Sequence, residues 1–138
     1  MRFEGRIWKD GRFWLVEVPS LDVMTQGHTR REALSMIADA IKGYVDKPGF
    51  KVTVRARSDD TFDVGSHDTA ALTALLLKRR RQASGLTLAE VAKRLGAQSH
   101  NAYARYEQGR SVPTIDKLVE LLAVVDKDHD VVIGRSLI

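Results

Sequence analysis

Residues 99–118, SHNAYARYEQGRSVPTIDKL, hold the side chains in this chain best suited to recognition chemistry. Asn101 and Arg105 stand four apart, which places them on one helical face, while Tyr103 and Tyr106 stand three apart on another. An asparagine amide can pair bidentately with adenine and an arginine fork with guanine, so the first face carries groups that read base edges. Gln98, Ser99, His100 and Gln108 offer further donors and acceptors. The two tyrosines fall at core spacing and are read as packing residues. Glu107 is read as a local hydrogen-bond acceptor or an arginine partner, because a phosphate would repel it.

No catalytic constellation competes with that face. The chain has no cysteine, so disulfides, zinc-thiolate sites and thiol catalysis are excluded. Glu4, Glu17 and Asp22 are scattered over predicted strands, and Asp59, Asp60 and Asp63 fall in a predicted linker. The run DKDHD at 126–130 lacks the ordered ligand spacing of a calcium loop. His28, His67, His100 and His129 are isolated in sequence, with no ligand pair at helical spacing. The expectation is a non-enzyme with no catalytic residue, no metal and no cofactor.

Charge points the same way as the polar face. Residues 1–68 hold eleven Lys/Arg against eleven Asp/Glu, whereas residues 69–138 hold eleven against seven and so carry the whole net charge of +4. Over 78–117 the balance is nine against three. Basicity gathered in one segment is the footprint of a phosphate-binding surface. Lys78 to Arg81, with Arg80 among them, and Lys93, Arg94 and Arg110 are expected to add salt-sensitive backbone contacts. The amide end of the helix near 88–95 is a further candidate for a phosphate. No apolar run reaches membrane-spanning length, and the N-terminal residues lack a signal-type apolar stretch, so a soluble cytoplasmic protein without membrane contact is expected.

Two differently patterned halves must position these groups. The first reads as β-β-β-α-β. Phe3 and Ile7 alternate with charged residues, an Asp10–Gly11 turn follows, and FWLVEV (13–18) is rich in strand formers. DVMTQG (22–27) supplies a third strand. Thr29 and Glu32 fit a capping box that opens a helix with Ala33, Leu34, Ile37, Ala38, Ile41 and Val45 on one face. FKVTVRAR (50–57) then alternates as a strand, and 58–68 reads as a linker with a short edge strand at 61–64. From about residue 70 the period is helical: 70–83, then a helix opened by Thr87 and Glu90, then 100–108 with Ser99 as its cap, then one from Thr114. VVIG (131–134) reads as a short strand. The expected class is α+β, with a sheet domain over 1–66 and an all-helical domain over 67–138 that ends in a short strand.

Two short helices around a glycine-containing turn, the second polar on one side, form a helix-turn-helix pattern. RRRQASGLTLAEVAKRLG (79–96) followed by YARYEQGR and Pro113 resembles the Cro/repressor (XRE-type) helix-turn-helix family over about 50 residues. That resemblance implies that Thr87 opens the positioning helix and that 99–108 form the recognition helix. The chain departs from the family at Leu88, where a glutamine is frequent, and by a turn about one residue longer. The first half has a separate resemblance. Its hairpin, V.TQGHTRREAL..I.DAI and following strand are similar to the HicB-type antitoxin domain, a truncated ribonuclease-H-like sheet, over roughly residues 1–65.

Together the resemblances imply an antitoxin of a type II toxin-antitoxin system. It would neutralise a HicA-type ribonuclease toxin and repress its own operon by binding double-stranded operator DNA. The toxin-facing residues are not fixed by sequence; Glu17 and Asp22 are candidates. A stand-alone transcriptional regulator with another protein or ligand on its first domain is an alternative, as is a degenerate ribonuclease-H-like nuclease fused to a DNA-binding module. A homodimer or homotetramer is expected, with Leu121, Leu122, Val125, Val131, Val132 and Ile133 as interface candidates.

Overall fold

The computed structural model describes residues 1–96 and 101–136, and the chain divides into two compact units, 1–72 and 73–138. In the first unit, β1 (Arg2–Asp10), β2 (Phe13–Val18) and β3 (Val23–Gly27) precede α1 (Arg30–Val45). Two more strands follow, β4 (Thr53–Ala56) and β5 (Thr61–Gly65). The sheet order is β3-β2-β1-β5-β4, and every neighbouring pair is antiparallel. Asp10 pairs with Phe13, so the hairpin loop is Gly11–Arg12, one residue beyond the expected position. Gly11 takes a left-handed φ of 61° there, which costs a glycine little. A single 3-10 turn at Pro19–Leu21 bridges β2 and β3.

The linker expectation for 58–68 is corrected by β5. Thr61–Gly65 is an interior strand, paired with β1 on one side and β4 on the other. Its residues alternate: Phe62 and Val64 are fully buried, while Asp63 lies on the opposite face, in register with Glu4 and Arg55. Asp63 accepts a hydrogen bond from Arg57 Nη1 at 3.1 Å. A hydrogen-bonded turn at Ser58–Thr61, with Ser58 Oγ within 2.7 Å of both Asp60 and Thr61, replaces the linker.

The motif at 27–33 is the joint between β3 and α1. Thr29 Oγ1 accepts from Glu32 N at 3.0 Å, which caps the helix. Ala33, Ile37 and Ile41 are fully buried on its inner face, with Phe3, Ile7, Val16, Val18 and Val23 in the same unit's core. Gly27 lets the first turn of α1 come in close: a Cβ there would stand 2.5 Å from Ala33 N. No side chain can be added without moving backbone.

In the second unit, α2 (Thr69–Ala83) runs across the division, and α3 (Leu88–Arg94), α4 (Asn101–Glu107) and α5 (Ile115–Val125) follow. Leu77, Val91, Tyr103, Leu121 and Val125, one or two from each helix, form its core, and Leu86, Leu88, Leu95, Tyr106, Leu118, Leu122 and Val124 pack around it. Two expectations are corrected here. Leu121 and Val125 are buried and Leu122 half-buried in this core, so a helical stripe read as interface is interior. Residues 131–136 carry no secondary structure, so the expected terminal strand is absent from the single chain, and Val132 is 90% exposed.

Gly27 and Gly43 make a paired test of this packing. Gly27→Ala is expected to destabilise the first unit by about 1–3 kcal/mol through overpacking. Gly43 lies within α1, where a Cβ would meet nothing within 4 Å, and Gly43→Ala is expected to stabilise by about 1 kcal/mol. Both tryptophans, Trp8 and Trp14, belong to this unit, so urea unfolding followed by tryptophan fluorescence reads it directly. Equal shifts of the same sign would refute the close approach at Gly27.

Candidate nucleic-acid interface

α3 is opened by a reciprocal cap. Thr87 Oγ1 accepts from Glu90 N at 3.1 Å, and Glu90 Oε2 accepts from Thr87 N at 2.7 Å. These bonds, the backbone one first, hold the Glu90 carboxyl below its ordinary range. The cap also corrects the expectation of a phosphate at this helix end, because a carboxylate already sits on it. Val91 and Ala92 turn inward, while Lys93 and Arg94 are exposed in the last turn. Leu88, at the position where the helix-turn-helix pattern favours a glutamine, packs against the core.

α4 is two-sided in the way its sequence suggested. Tyr103 and Ala104 are buried and Tyr106 and Glu107 half-buried, whereas Asn101, Arg105 and, just beyond the helix, Gln108 are exposed. The separation follows from spacing: Asn101 and Arg105 lie one turn apart on the side away from Tyr103. Gly109 ends the helix with a left-handed φ of 70°, and Arg110 N reaches back to Arg105 O at 3.0 Å, closing a Schellman turn. Arg110 is exposed after that turn. Thr114 then caps α5 by accepting from Lys117 N at 3.2 Å. Gln98, Ser99 and His100 lie outside the described residues.

What fixes the rotation of α4 is a buried ion pair of Glu107, for which the sequence suggested an arginine partner without naming it. Arg81 Nε donates to Glu107 Oε2 at 2.8 Å and Arg81 Nη2 to Glu107 Oε1 at 2.9 Å, a two-pronged fork. Arg81 Nη1 donates to the Leu86 carbonyl at 2.8 Å. Only 14% of the Arg81 side chain and 7% of the Glu107 side chain are exposed. The hydrogen bond to Glu107 raises the guanidinium above its ordinary range. Burial, and next the Glu107 carboxylate, push the Tyr103 phenol up, so it stays protonated.

Arg80 is likewise drawn into the fold, where sequence placed it against phosphate. Its Nη1 donates to Asp126 Oδ2 at 3.2 Å, and both side chains are mostly buried. Asp126 Oδ1 also lies 2.8 Å from His129 Nδ1. Burial raises the Asp126 carboxyl, but the bonds to His129 and Arg80 outweigh it and leave the group below its ordinary range. Of the basic run 78–81, Lys78 is exposed, while Arg79, Arg80 and Arg81 are half-buried. The exposed cations flanking α4 are therefore Lys93, Arg94, Arg105 and Arg110.

The sheet unit places its acidic candidates apart from one another. Glu17 is bonded by Arg6 Nη2 at 2.6 Å. Asp22 is exposed and adopts a left-handed φ of 50° at the end of the 3-10 turn. Among the described residues no group of three or more His, Cys, Asp or Glu is arranged to hold a metal ion, and no helix is long and apolar enough to cross a membrane.

The fork makes a sharp energetic prediction. Glu107→Ala leaves a buried arginine uncompensated and is expected to cost about 3–5 kcal/mol. The double variant Arg81→Met/Glu107→Leu, which removes both charges and keeps the volume, is expected to recover most of that loss. Thermal unfolding followed by circular dichroism over the mutant cycle checks it. A Glu107→Ala loss within the range of a surface pair would mean that the fork is not holding the helix.

Residues 74–132 match a family model described as a helix-turn-helix domain. No curated protein matches the chain. The match takes in α3, α4, α5 and most of α2, so the second unit is similar to a helix-turn-helix domain over these helices.

Proposed function

We propose that this protein is a transcriptional regulator that reads operator DNA through α4 and holds a protein partner on its sheet unit. The observation that carries the DNA reading is the two-sided α4. Its inner side is locked by the Arg81–Glu107 fork, and its outer side presents Asn101 and Arg105 next to exposed Lys93, Arg94 and Arg110. Asn101 and Arg105 would contact base edges in the major groove, with Gln108 beside them, and the flanking cations would contact phosphates. Gln98, Ser99 and His100 would add further contacts in this reading, while Thr87, bonded to Glu90 through its hydroxyl and its amide, is left out of it. Arg80 is left out of it, since Asp126 engages its charge within the fold. A helix of seven residues covers few base pairs, so a pair of copies, or a higher even-numbered assembly, would read the two halves of an inverted repeat.

Arg105→Ala and Asn101→Ala are expected to relax base preference, each at a cost of about 1–3 kcal/mol if bidentate. Lys93→Ala or Arg94→Ala should weaken all sequences alike and reduce the salt slope by about one. Fluorescence anisotropy against duplex fragments at several salt concentrations reads both effects. Equal affinity for every fragment would end the operator reading.

For the sheet unit we infer an antitoxin role, with a HicA-type ribonuclease toxin as the partner and the shared operon as the target. The resemblance of residues 1–65 and a β-β-β-α-β order, observed with one further strand after it, support this reading, as does a net charge of zero over 1–68, which leaves no general repulsion toward a basic protein. Glu17 and Asp22 are the acidic candidates for steering that encounter. The intact chain is expected to capture a catalytically dead toxin of this type in a pull-down, and Glu17→Lys to slow association, most at low salt. Capture by a variant lacking residues 1–68, at undiminished affinity, would assign the partner to the wrong unit.

A further inference from the structure

The outer strands of the sheet are β3 and β4, and the hydrogen-bond phase fixes which backbone groups each leaves open. In an antiparallel ladder the amide and carbonyl of a residue address the same neighbouring strand, and successive residues alternate. Ile7 N donates to Asp60 O at 2.9 Å, so odd-numbered residues of β1 address β5 and even-numbered ones address β2. Register carries this phase across the sheet. Arg6 faces Glu17 and Val16 faces Thr25, so Val23, Thr25 and Gly27 bond to β2. Met24 and Gln26 are left with amide and carbonyl pointing off the sheet. On the other side, Arg57 N donates to Thr61 O at 2.9 Å, which leaves Val54 and Ala56 open on β4.

The two edges are finished differently. Lys51, Arg55 and Arg57 set three cations in and around β4, an ordinary device against foreign strands. β3, VMTQG, has no charge and no proline, and its register with β2 runs without a bulge. Its outward side chains are also uncovered: Met24 is 56% exposed and Gln26 is exposed. Gln26 shares a cross-strand row with Leu15 and Trp8, and Trp8 is 37% exposed. Charge enters only past the strand ends, with Asp22 before β3 and Arg31 after it, both exposed.

We propose that the protein partner of the sheet unit adds an extended segment to this edge, as a sixth strand antiparallel to β3. Main-chain bonds to Met24 and Gln26 supply the attachment. They also set the chemistry of the occupant. The two partner residues that face Met24 and Gln26 stand two apart, so both side chains fall on the outer face. There they extend the row of Met24 and the row of Gln26, Leu15 and Trp8, positions that suit apolar β-branched residues. Running antiparallel, the segment starts beside Arg31 and ends beside Asp22. It therefore carries an acidic residue before the apolar pair and a basic residue after it.

The inference rests on the partner reading of the sheet unit for its purpose, and its first test needs no toxin. The probe is a capped heptapeptide with glutamate first, valine third and fifth, lysine last and threonine between. Titrated into the isotope-labelled full chain, it is expected to give saturable amide shifts at Met24, Thr25 and Gln26 and none at Val54 or Ala56. Amide exchange at Met24 and Gln26 should slow. Gln26→Pro removes an amide that the sheet itself does not use, so it is expected to keep the fold and weaken the peptide ~10-fold. Gln26→Lys keeps that amide and sets a charge on the edge; it too should weaken binding, with no risk to the ladder. Both variants should lose capture of the catalytically dead toxin in the same proportion. Absence of shifts on β3, equal shifts on both edges, or undiminished capture by the variants would overturn the strand addition. Shifts at Met24 and Gln26 that grow with protein concentration, without peptide, would assign the edge to a second copy and overturn it as well. A chain that takes the peptide on β3 but captures no toxin would sink the antitoxin reading alone.

Discussion

The second unit depends on the fork between Arg81 and Glu107. Its α4 has seven described residues, too few to be helical in isolation, because nucleation costs are not recovered over two turns. Something outside the helix must hold it. Tyr103 and Tyr106 anchor it through apolar contact, which leaves rotation about the helix axis loosely set. The fork removes that freedom: a planar guanidinium meeting a carboxylate at two points defines an orientation as well as a distance. The third bond, to the Leu86 carbonyl, ties the same arginine to the segment between α2 and α3. One side chain thus references three stretches of chain to one another. Desolvation offsets much of its Coulomb energy, so its worth lies in geometry more than in net stability.

The same interaction explains the motif that sequence reading found most distinctive. Glu107, Gly109 and Pro113 do separate work on a short span. Glu107 accepts the fork, Gly109 supplies the left-handed residue that closes α4, and Pro113 precedes the Thr114 cap of α5. None of the three has to touch a nucleic acid. They fix where Asn101 and Arg105 stand, and those two are the residues that spacing alone placed on an outer face. The motif at Gly27, Thr29 and Ala33 in the sheet unit is also positional: a helix cap combined with a contact too close for a Cβ.

Much of the fold was legible because local rules and burial agree in it. The hairpin, the three threonine caps and the inner faces of α1 and α4 follow from alternation, capping chemistry and helical period. The failures share a different physics. Thr61–Gly65 sits among aspartates and serines, and its pairing with β1 is set by a partner nearly sixty residues away, which no local signal encodes. Val131–Ile133 has strand propensity but pairs with no strand among the described residues, and propensity alone does not make a ladder. Leu121, Leu122 and Val125 share a helical stripe whether that stripe meets its own core or another copy, so periodicity could not separate the two. Arg80 and Arg81 look identical to Lys78 in a charge count; only the positions of Asp126 and Glu107 show that their charges serve the fold. A rule could have flagged Arg81: a helix-turn-helix core with a half-buried glutamate on its second helix needs a buried cation to compensate it.

The division of charge between the units has a consequence for how they can act together. Over residues 1–68 acidic and basic groups cancel, and on the sheet they sit close: Arg6 on Glu17, and Arg57 on Asp63. Such a surface projects little field beyond a Debye length, so its contacts must come from shape and local pairing. The helical unit instead leaves Lys93, Arg94, Arg105 and Arg110 uncovered beside a fixed polar face. Long-range attraction to a polyanion therefore belongs to the helical unit. Under the proposed function, a partner on the sheet unit would alter DNA affinity by changing assembly or blocking access, with little net charge there to neutralise. Salt dependence and partner dependence should then separate, because they arise on different surfaces of one chain.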